Sequence, residues 1–395
     1  MMRKTILSLA AVLALGAAAC SLAQAQDEAG SGRGRSCPSP PPILTTEQTQ
    51  AAIRAARDRG FLWRISKDGR ESYLYGTFHV GNPQWMLGPT VVRALIASDH
   101  VAFELDPTDP EMLKRTGANM ASGNVLLPDE LAARVRAQAE FACVAAAAFA
   151  TMDPELQGMT LHVLALRDFG VYLGYGSERL LAGVARTLKK PITSLETPEL
   201  QINALRGRNA QESIALVEMM LTSLESGADR KVSERLLETW ANSRLDDLQD
   251  YKSWCQCTRT EFGRSRWQRI IEDRNPGLVA GIAAIHESGQ RVFAAVGSAH
   301  TIGPNGVVAL LAQQGYQIEF VPFGSGEAQS TPTPATPPDQ WPWPEAAPGA
   351  LFPPNQGPLS PETPPDQWRW PQAAPGALFQ PNQIPTQEHP GRNHR

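Results

Sequence analysis

Two remote stretches of the chain carry one pattern, an apolar run followed by Gly-x-x-His. The first reads Leu74-Tyr75-Gly76-Thr77-Phe78-His79-Val80-Gly81, the second Ala295-Val296-Gly297-Ser298-Ala299-His300-Thr301-Ile302-Gly303. Each run predicts a strand, and glycine at a strand's carboxyl end lets the backbone turn sharply into a loop. Such loops line the ligand crevice of an open α/β sheet, so His79 and His300 are both expected to face it. A third strand-like run, His100 to Leu105, carries Glu104, with Asp106 just after it. Imidazole nitrogens with a carboxylate suit Zn, Mn, Co or Fe, and an open coordination position lowers the pKa of bound water. The chemistry that follows is metal-assisted hydrolysis. The plainer reading is two loop histidines that serve only hydrogen bonds.

The elements that must position these groups are legible around them. Phe61 to Ser66 and Glu71 to Tyr75 flank Lys67-Asp68-Gly69-Arg70, an Asp-Gly turn between β-prone runs, and so predict a hairpin. Pro89 to Ser98 has helical spacing. Arg291 to Val296 predicts a strand, Gly306 to Gln314 a helix closed by Gly315, and Tyr316 to Val321 a further strand, expected as a βαβ unit with a parallel pair. Aligning Ala94-Leu95 with Ala309-Leu310 sets Glu104 against Glu319, so each unit reads strand, Gly-x-x-His, helix, strand, Glu. The registers differ by six residues, since His79 to His300 spans 221 and Glu104 to Glu319 spans 215. That is the pattern of a degenerate internal duplication.

Between the two units, Pro128 to His286 is almost entirely helical in pattern. Pro154, Ser177-Glu178, Thr197-Pro198-Glu199 and Asn275-Pro276 mark helix starts, and Pro191 to Leu195 a short strand. His286-Glu287 lacks the second histidine of a zincin helix and suits a charge at a helix end. His100 and His162 read as packing residues. No Gly-x-Ser-x-Gly elbow occurs, and Gly174-Tyr175-Gly176 is not a dinucleotide fingerprint.

The whole chain has 395 residues, 36 Lys+Arg against 40 Asp+Glu and a net charge of −4, which argues against a nucleic-acid partner. Residues 1–25 read as a signal peptide cleaved after Ala25, with a lipoprotein through Cys20 the lesser alternative, so the protein is expected to be periplasmic or secreted. Residues 26–43 form a leader rich in Gly, Ser and Pro, residues 44–323 the folded domain, and 324–395 a tail holding 18 of the 33 prolines. The tail repeats itself with a period of 27, Thr336 to Gln356 matching Thr363 to Gln383 at all but three of 21 positions, with Asp-Gln-Trp-x-Trp-Pro in each copy. It reads as a disordered linker or as a docking segment for an envelope partner. Four cysteines, Cys37, Cys143, Cys255 and Cys257, follow the signal, and the expected bridge joins Cys143 to Cys255 or Cys257, leaving Cys37 in the leader.

Taken together, the two Gly-x-x-His motifs, Ala102-Phe103-Glu104-Leu105-Asp106, Leu195-Glu196-Thr197, Arg274-Asn275 and the stretch from Val296-Gly297 to Gly315-Tyr316 resemble the TraB/GumN family, which is related to Tiki proteins. The resemblance runs from about Phe61 to Val321. It implies an α/β fold, in which two strand-loop-helix-strand units form a central mixed or parallel sheet with a large helical insertion about 110–288 between them. It also implies metal-dependent hydrolysis, peptidase activity having been assigned to the Tiki branch. Carried over by position, His79, Glu104 and His300 match the ligand or acid/base positions. Glu196 and Arg274 match further motif positions, where the carboxylate would bind or deprotonate water and the guanidinium would hold a substrate carboxylate or developing oxyanion. As ordinary structure, the same two residues would be a buried ion pair. Ser298-Ala299 departs from the Ala-Gly that relatives often carry and leaves His300 unaffected.

The expectation is an exported metal-dependent hydrolase, peptidase-like, using Mn, Co or Zn on a peptide, small-molecule or glycan substrate. The alternative is a non-catalytic periplasmic binding or regulatory protein that sequesters a peptide or glycan in the same cleft.

Overall fold

Asp68 and Gly69 both take positive φ, 53° and 74°, the conformation that a two-residue hairpin with right-handed strand twist requires. They join β1 (Phe61–Lys67) to β2 (Arg70–Thr77). In this computed structural model, residues 37, 41–121, 125–144 and 149–323 are described. The expected signal peptide, most of the expected leader and the repeat-bearing tail lie outside them.

Helix α1 (Thr46–Arg54) precedes the hairpin, closed by a capping box between Thr45 and Gln48. After the hairpin come α2 (Pro89–Ala97) and β3 (His100–Phe103). The chain then turns helical, through α3 (Pro110–Met120), α4 (Asp129–Phe141), α5 (Pro154–Ala165) and α6 (Ser177–Thr187). It returns to the sheet once, as β4 (Ile192–Ser194). Helices α7 (Pro198–Leu205), α8 (Ala210–Ser226), α9 (Arg230–Ala241), α10 (Leu245–Gln249), α11 (Tyr251–Trp254), α12 (Glu261–Trp267) and α13 (Asn275–Glu287) follow. The chain ends its folded course with β5 (Val292–Gly297), α14 (Val307–Gln313) and β6 (Gln317–Val321). Prolines 89, 110, 154 and 198 each open a helix, where a missing N–H costs nothing.

The fold is α/β, a six-stranded mixed sheet in the order β4-β3-β5-β2-β1-β6. Strands β2, β5, β3 and β4 run parallel, and β1 is antiparallel to both β2 and β6. Strand β5, Val-Phe-Ala-Ala-Val-Gly, is buried along its whole length, as a central parallel strand covered on both faces must be. The edge strand β6 is only partly covered and presents Glu319 to Arg64 at 3.2 Å, a charge that discourages edge-to-edge pairing.

This topology corrects one expectation. Strands β5 and β6 do not form a parallel pair, because β2 and β1 stand between them. The hairpin enters the sheet as a unit: β2 pairs with β5, its partner β1 takes the next place, and β6 can only add to β1. Glu319 therefore sits at the far edge of the sheet, and the likeness of the two units does not extend to a shared glutamate.

The cysteine expectation is also overturned. Cys37 bridges Cys143, with Cα atoms 5.7 Å apart, and Cys255 bridges Cys257. Cys37 thus lies beside the end of α4, while the Cys-x-Cys pair closes on itself within one turn. The first bridge ties a loop of 106 residues. Cys143→Ser is expected to cost about 2–4 kcal/mol by freeing that loop in the unfolded chain, and urea denaturation measures it. An unchanged midpoint would show that the bridge contributes nothing to stability. Among the described residues no helix is long and apolar enough to cross a membrane.

Candidate active site

Thr77 of β2 lies opposite Gly297 of β5, so both Gly-x-x-His loops leave neighbouring parallel strands at one end of the sheet. On the other side of β5, β3 brings Phe103 level with Ala295. Glu104, one residue further, accepts the Gly297 N–H on Oε1 at 2.6 Å. Strand β4 extends the row, since Leu195 N–H donates to Phe103 O and Glu196 N–H to Glu104 O, at 2.8 and 3.0 Å. Arg274 comes from a π-helical stretch, Gln268–Glu272, and the turn that follows it, an irregularity common where a helix must aim a side chain.

Arg274 holds the two glutamates together. Its Nη2 donates to Glu104 Oε2 at 2.6 Å and to Glu196 Oε2, its Nε to Glu196 Oε1 at 2.8 Å, and its Nη1 to Ile270 O at 2.8 Å. Gln201 on α7 donates to both carboxylates, at 3.2 and 2.9 Å. Arg274, Glu104 and Glu196 are 5, 5 and 8% exposed. At that burial a charge survives only when paired and hydrogen-bonded.

The histidines are oriented by partners of different charge. His79 Nδ1 sits 2.5 Å from Glu178 Oε1, at the start of α6. Asn275 Oδ1 lies 2.6 Å from His300 Nδ1, and the amide's orientation is set because its Nδ2 donates to Asn305 O at 2.6 Å. Both contacts place a proton on Nδ1, so each neutral ring carries its lone pair on Nε2. Both Nε2 atoms are buried without a hydrogen-bond partner among the described residues. His300 Nε2 is 3.7 Å from Glu104 Oε1.

The electrostatics separate like groups. Burial disfavours a charge on His79, but the Glu178 carboxylate outweighs it and the net shift is upward. At His300 burial outweighs the Glu104 charge, Arg274 and His79 add to the fall, and the ring is pushed down to about 3, so it is neutral at pH 7. Burial opposes ionisation of Glu104, yet His300, Arg274, His79 and the Gly297 N–H hold its carboxyl at about 2. Glu196 shifts upward, because burial outweighs Arg274 and the Glu104 charge adds to the rise. Two acids sharing one guanidinium are thereby driven apart in proton affinity.

The sheet thus gathers His79, Glu104, Glu196, Arg274 and His300 at one place. Asp106, just after Glu104, is engaged elsewhere, its carboxylate held by Arg186 at 2.6 Å and by Thr108. Sequence reasoning missed three orienting residues: Glu178, taken only as a helix start, Gln201, and Asn275 as the partner of His300. Of the histidines set aside, His162 is buried against Asp229 at 2.6 Å, and His100 is bound between Gln290 and Thr193. His286 stands in the last turn of α13. It is buried and lies 2.8 Å from Ser72 Oγ.

The acid side of the His79 pair is testable by pH. Burial raises the Glu178 carboxyl, but His79 stabilises its charge more, so the folded pKa lies below the ordinary 4.5. Its stabilising contribution is complete above 4.5 and is lost as pH falls towards the lowered value. In urea denaturation, wild type should exceed Glu178→Gln in stability near pH 7, and the gap should narrow near pH 3. A gap of equal size at both would reject the linkage.

In kind, these donors fit a divalent metal. Two bare imidazole nitrogens with oriented Nδ1–H groups and a carboxylate kept ionised are the usual inner and outer shells of such a site. Atoms that each bind one ion at about 2 Å lie roughly 3–4 Å apart, which matches the His300 Nε2 to Glu104 Oε1 separation. Among the described residues, no group of three or more His, Cys, Asp or Glu is assembled in a metal-holding arrangement.

Comparison with known proteins places the chain in a family. The model described as "TraB/PrgY/gumN family" matches residues 61–320. The chain is similar to "Metalloprotease TIKI1" of Danio rerio, 24% identical over 67% of this chain and 63% of that protein. It is 25% identical to "Metalloprotease TIKI2" of Danio rerio, over 70% and 64%. It is 26% identical to "Metalloprotease TIKI1" of Homo sapiens, over 69% and 65%. The chain therefore spans a little under two thirds of the length of these relatives. No solved structure matches it.

Proposed function

The chain belongs to the TraB/PrgY/gumN family, and on that footing we propose that it is a metal-dependent hydrolase acting on peptides. One observation carries the reading: the buried His300 and the largely buried His79, each with Nδ1 held by an orienting partner, leave buried Nε2 atoms uncommitted, that of His300 3.7 Å from the Glu104 carboxylate. The similarity to proteins named as metalloproteases supports it.

His79, His300 and Glu104 would hold a divalent ion, Mn, Co or Zn, which would supply an acidified water and polarise the scissile carbonyl. His300, neutral at pH 7, presents its lone pair without competition from a proton. Glu104 is pinned by the Gly297 N–H and Arg274, so its Oε1 stays directed at the same space as His300 Nε2. Glu196, with the raised proton affinity, is the acid suited to take the proton released by the attacking water. All three nitrogens of Arg274 already donate within the protein, so we assign it to positioning the two acids rather than to gripping substrate. Export, and docking of an envelope partner through the Trp/Pro tail, remain part of the proposal and rest on sequence alone.

The test is metal uptake by the full chain, with peptide turnover as the second readout. Calorimetric titration with Mn, Co and Zn should show one site, and a mixed peptide pool should be cleaved only by the loaded protein. Glu178→Gln should keep the fold and lower metal affinity about 10–100-fold, as loss of an outer-shell partner does. Absence of uptake of any of the three ions would sink the reading.

A further inference from the structure

The second Gly-x-x-His loop runs on into Gly303-Pro304-Asn305-Gly306, a β-turn closed by Gly306 N–H on Gly303 O at 3.1 Å. Proline at its second position and glycine at its fourth suit such a turn. The Asn305 carbonyl accepts Asn275 Nδ2 at 2.6 Å, and Asn275 Oδ1 in turn faces His300 Nδ1 at 2.6 Å. Yet Gly303, Pro304 and Asn305 are exposed, so the turn needs an anchor.

That anchor is Glu272, the last residue of the π-helical stretch. Its Oε2 accepts Asn305 Nδ2 at 3.0 Å. Its Oε1 accepts the Trp267 indole N–H at 2.9 Å and the Lys252 ammonium, which also lies 4.9 Å over the Trp267 ring. One carboxylate thus ties α11 and the end of α12 to the turn that follows the second motif. From it, hydrogen bonds run in series through Asn305 and Asn275 to His300.

The far end of that series decides where the His300 proton sits. A neutral imidazole carries one N–H, and two acceptors compete for it: Asn275 Oδ1 at Nδ1, and Glu104 Oε1, 3.7 Å from Nε2. The Ile271 carbonyl also faces the ring. A proton on Nε2 would be drawn towards the Glu104 carboxylate and would leave that nitrogen without a lone pair. Asn275 prevents this only while its oxygen, not its NH2 group, faces the ring. The Asn305 carbonyl sets that choice, because it can only accept and would repel the amide turned the other way.

We propose that Glu272 and Asn305 are positioning residues for His300, fixing the Asn275 amide so that the imidazole proton stays on Nδ1 and Nε2 stays bare. Use of that bare nitrogen for a metal rests on the hydrolase reading. The placement of the proton does not.

NMR of the metal-free full chain at pH 7, with isotope-labelled histidine, reads the proton directly, since proton–nitrogen couplings tell a protonated ring nitrogen from a bare one. His300→Gln, or His300→Asn if the first does not fold, identifies the His300 signals. Wild type should be protonated on Nδ1 and bare on Nε2. Glu272→Ala frees the Asn305 side chain, and Asn305→Asp turns a carboxylate against Glu272; both should raise the Nε2–H form to a measurable share. Glu272→Gln, which still pairs with the Asn305 amide, should keep the wild-type pattern. Lys252→Met removes the ion pair but not the Asn305 contact and should keep it too, whatever it does to the unfolding midpoint. Where metal is taken up, the two switching variants should bind it about tenfold more weakly, the lower end of an outer-shell loss. Should Glu272→Ala not fold, Asn305→Asp, in its exposed turn, carries the test alone. A wild type protonated on Nε2, a wild-type pattern in either folded switching variant, or the same switch in Lys252→Met overturns the inference. Failed metal uptake with the switch present would sink the hydrolase reading and leave this one standing, and metal uptake without the switch would do the reverse.

Discussion

Arg274→Ala is expected to destabilise the fold by about 3–5 kcal/mol, the cost of stranding buried charge when one partner of an ion pair is removed. The cause is specific, because Glu104 and Glu196 are both buried and both rely on this one guanidinium. Water cannot replace it without opening the sheet's carboxyl end. Arg274→Lys should recover little, since a single ammonium cannot donate to two carboxylates and to Ile270 O in the same planar array. Urea denaturation with circular dichroism measures the loss. If repulsion between the acids is its source, adding Glu196→Gln to Arg274→Ala should return part of it. A loss under 1 kcal/mol would mean that the acids are neutral in the fold, contrary to the carboxyl of about 2 at Glu104.

If the chain is the peptide hydrolase proposed above, His300→Ala is expected to lower its metal-dependent turnover by more than about 100-fold, beyond the 10–100-fold that removal of an outer-shell partner costs. His79→Ala should do the same, while Asn275→Ala, which removes only the orienting partner of His300, should fall within the smaller range. The order matters more than the size. If Asn275→Ala were as damaging as His300→Ala, orientation rather than ligation would be the histidine's contribution. If His300→Ala kept full turnover and full metal uptake, the second Gly-x-x-His motif would have no part in the chemistry. Because His300 is wholly buried, each variant's unfolding midpoint has to be measured beside its activity.

Much of this architecture is written locally. The Asp-Gly turn, the prolines that open helices, Gly315 at positive φ after α14 and the uninterrupted apolar run of β5 each specify a short piece of backbone through its own sterics or hydrogen bonding. The same holds for the two loops, since glycine at the end of β2 and of β5 is a property of adjacent residues. Their likeness was therefore visible in the chain, and so were His79, Glu104 and His300.

The sequence by itself thus determined the elements, the motifs and the family. Tertiary structure alone decided that the β1–β2 hairpin would displace β6 from β5, that Cys37 would find Cys143, and that Glu178, Gln201 and Asn275 would hold the site in place. The physical reason is range. A turn or a cap is settled by atoms a few residues apart, whereas His79 meets Glu178 across 99 positions and Glu104 meets Arg274 across 170. Those encounters depend on strand order and on helices packed over the sheet, and no periodicity along the chain encodes which distant carboxylate or amide will arrive.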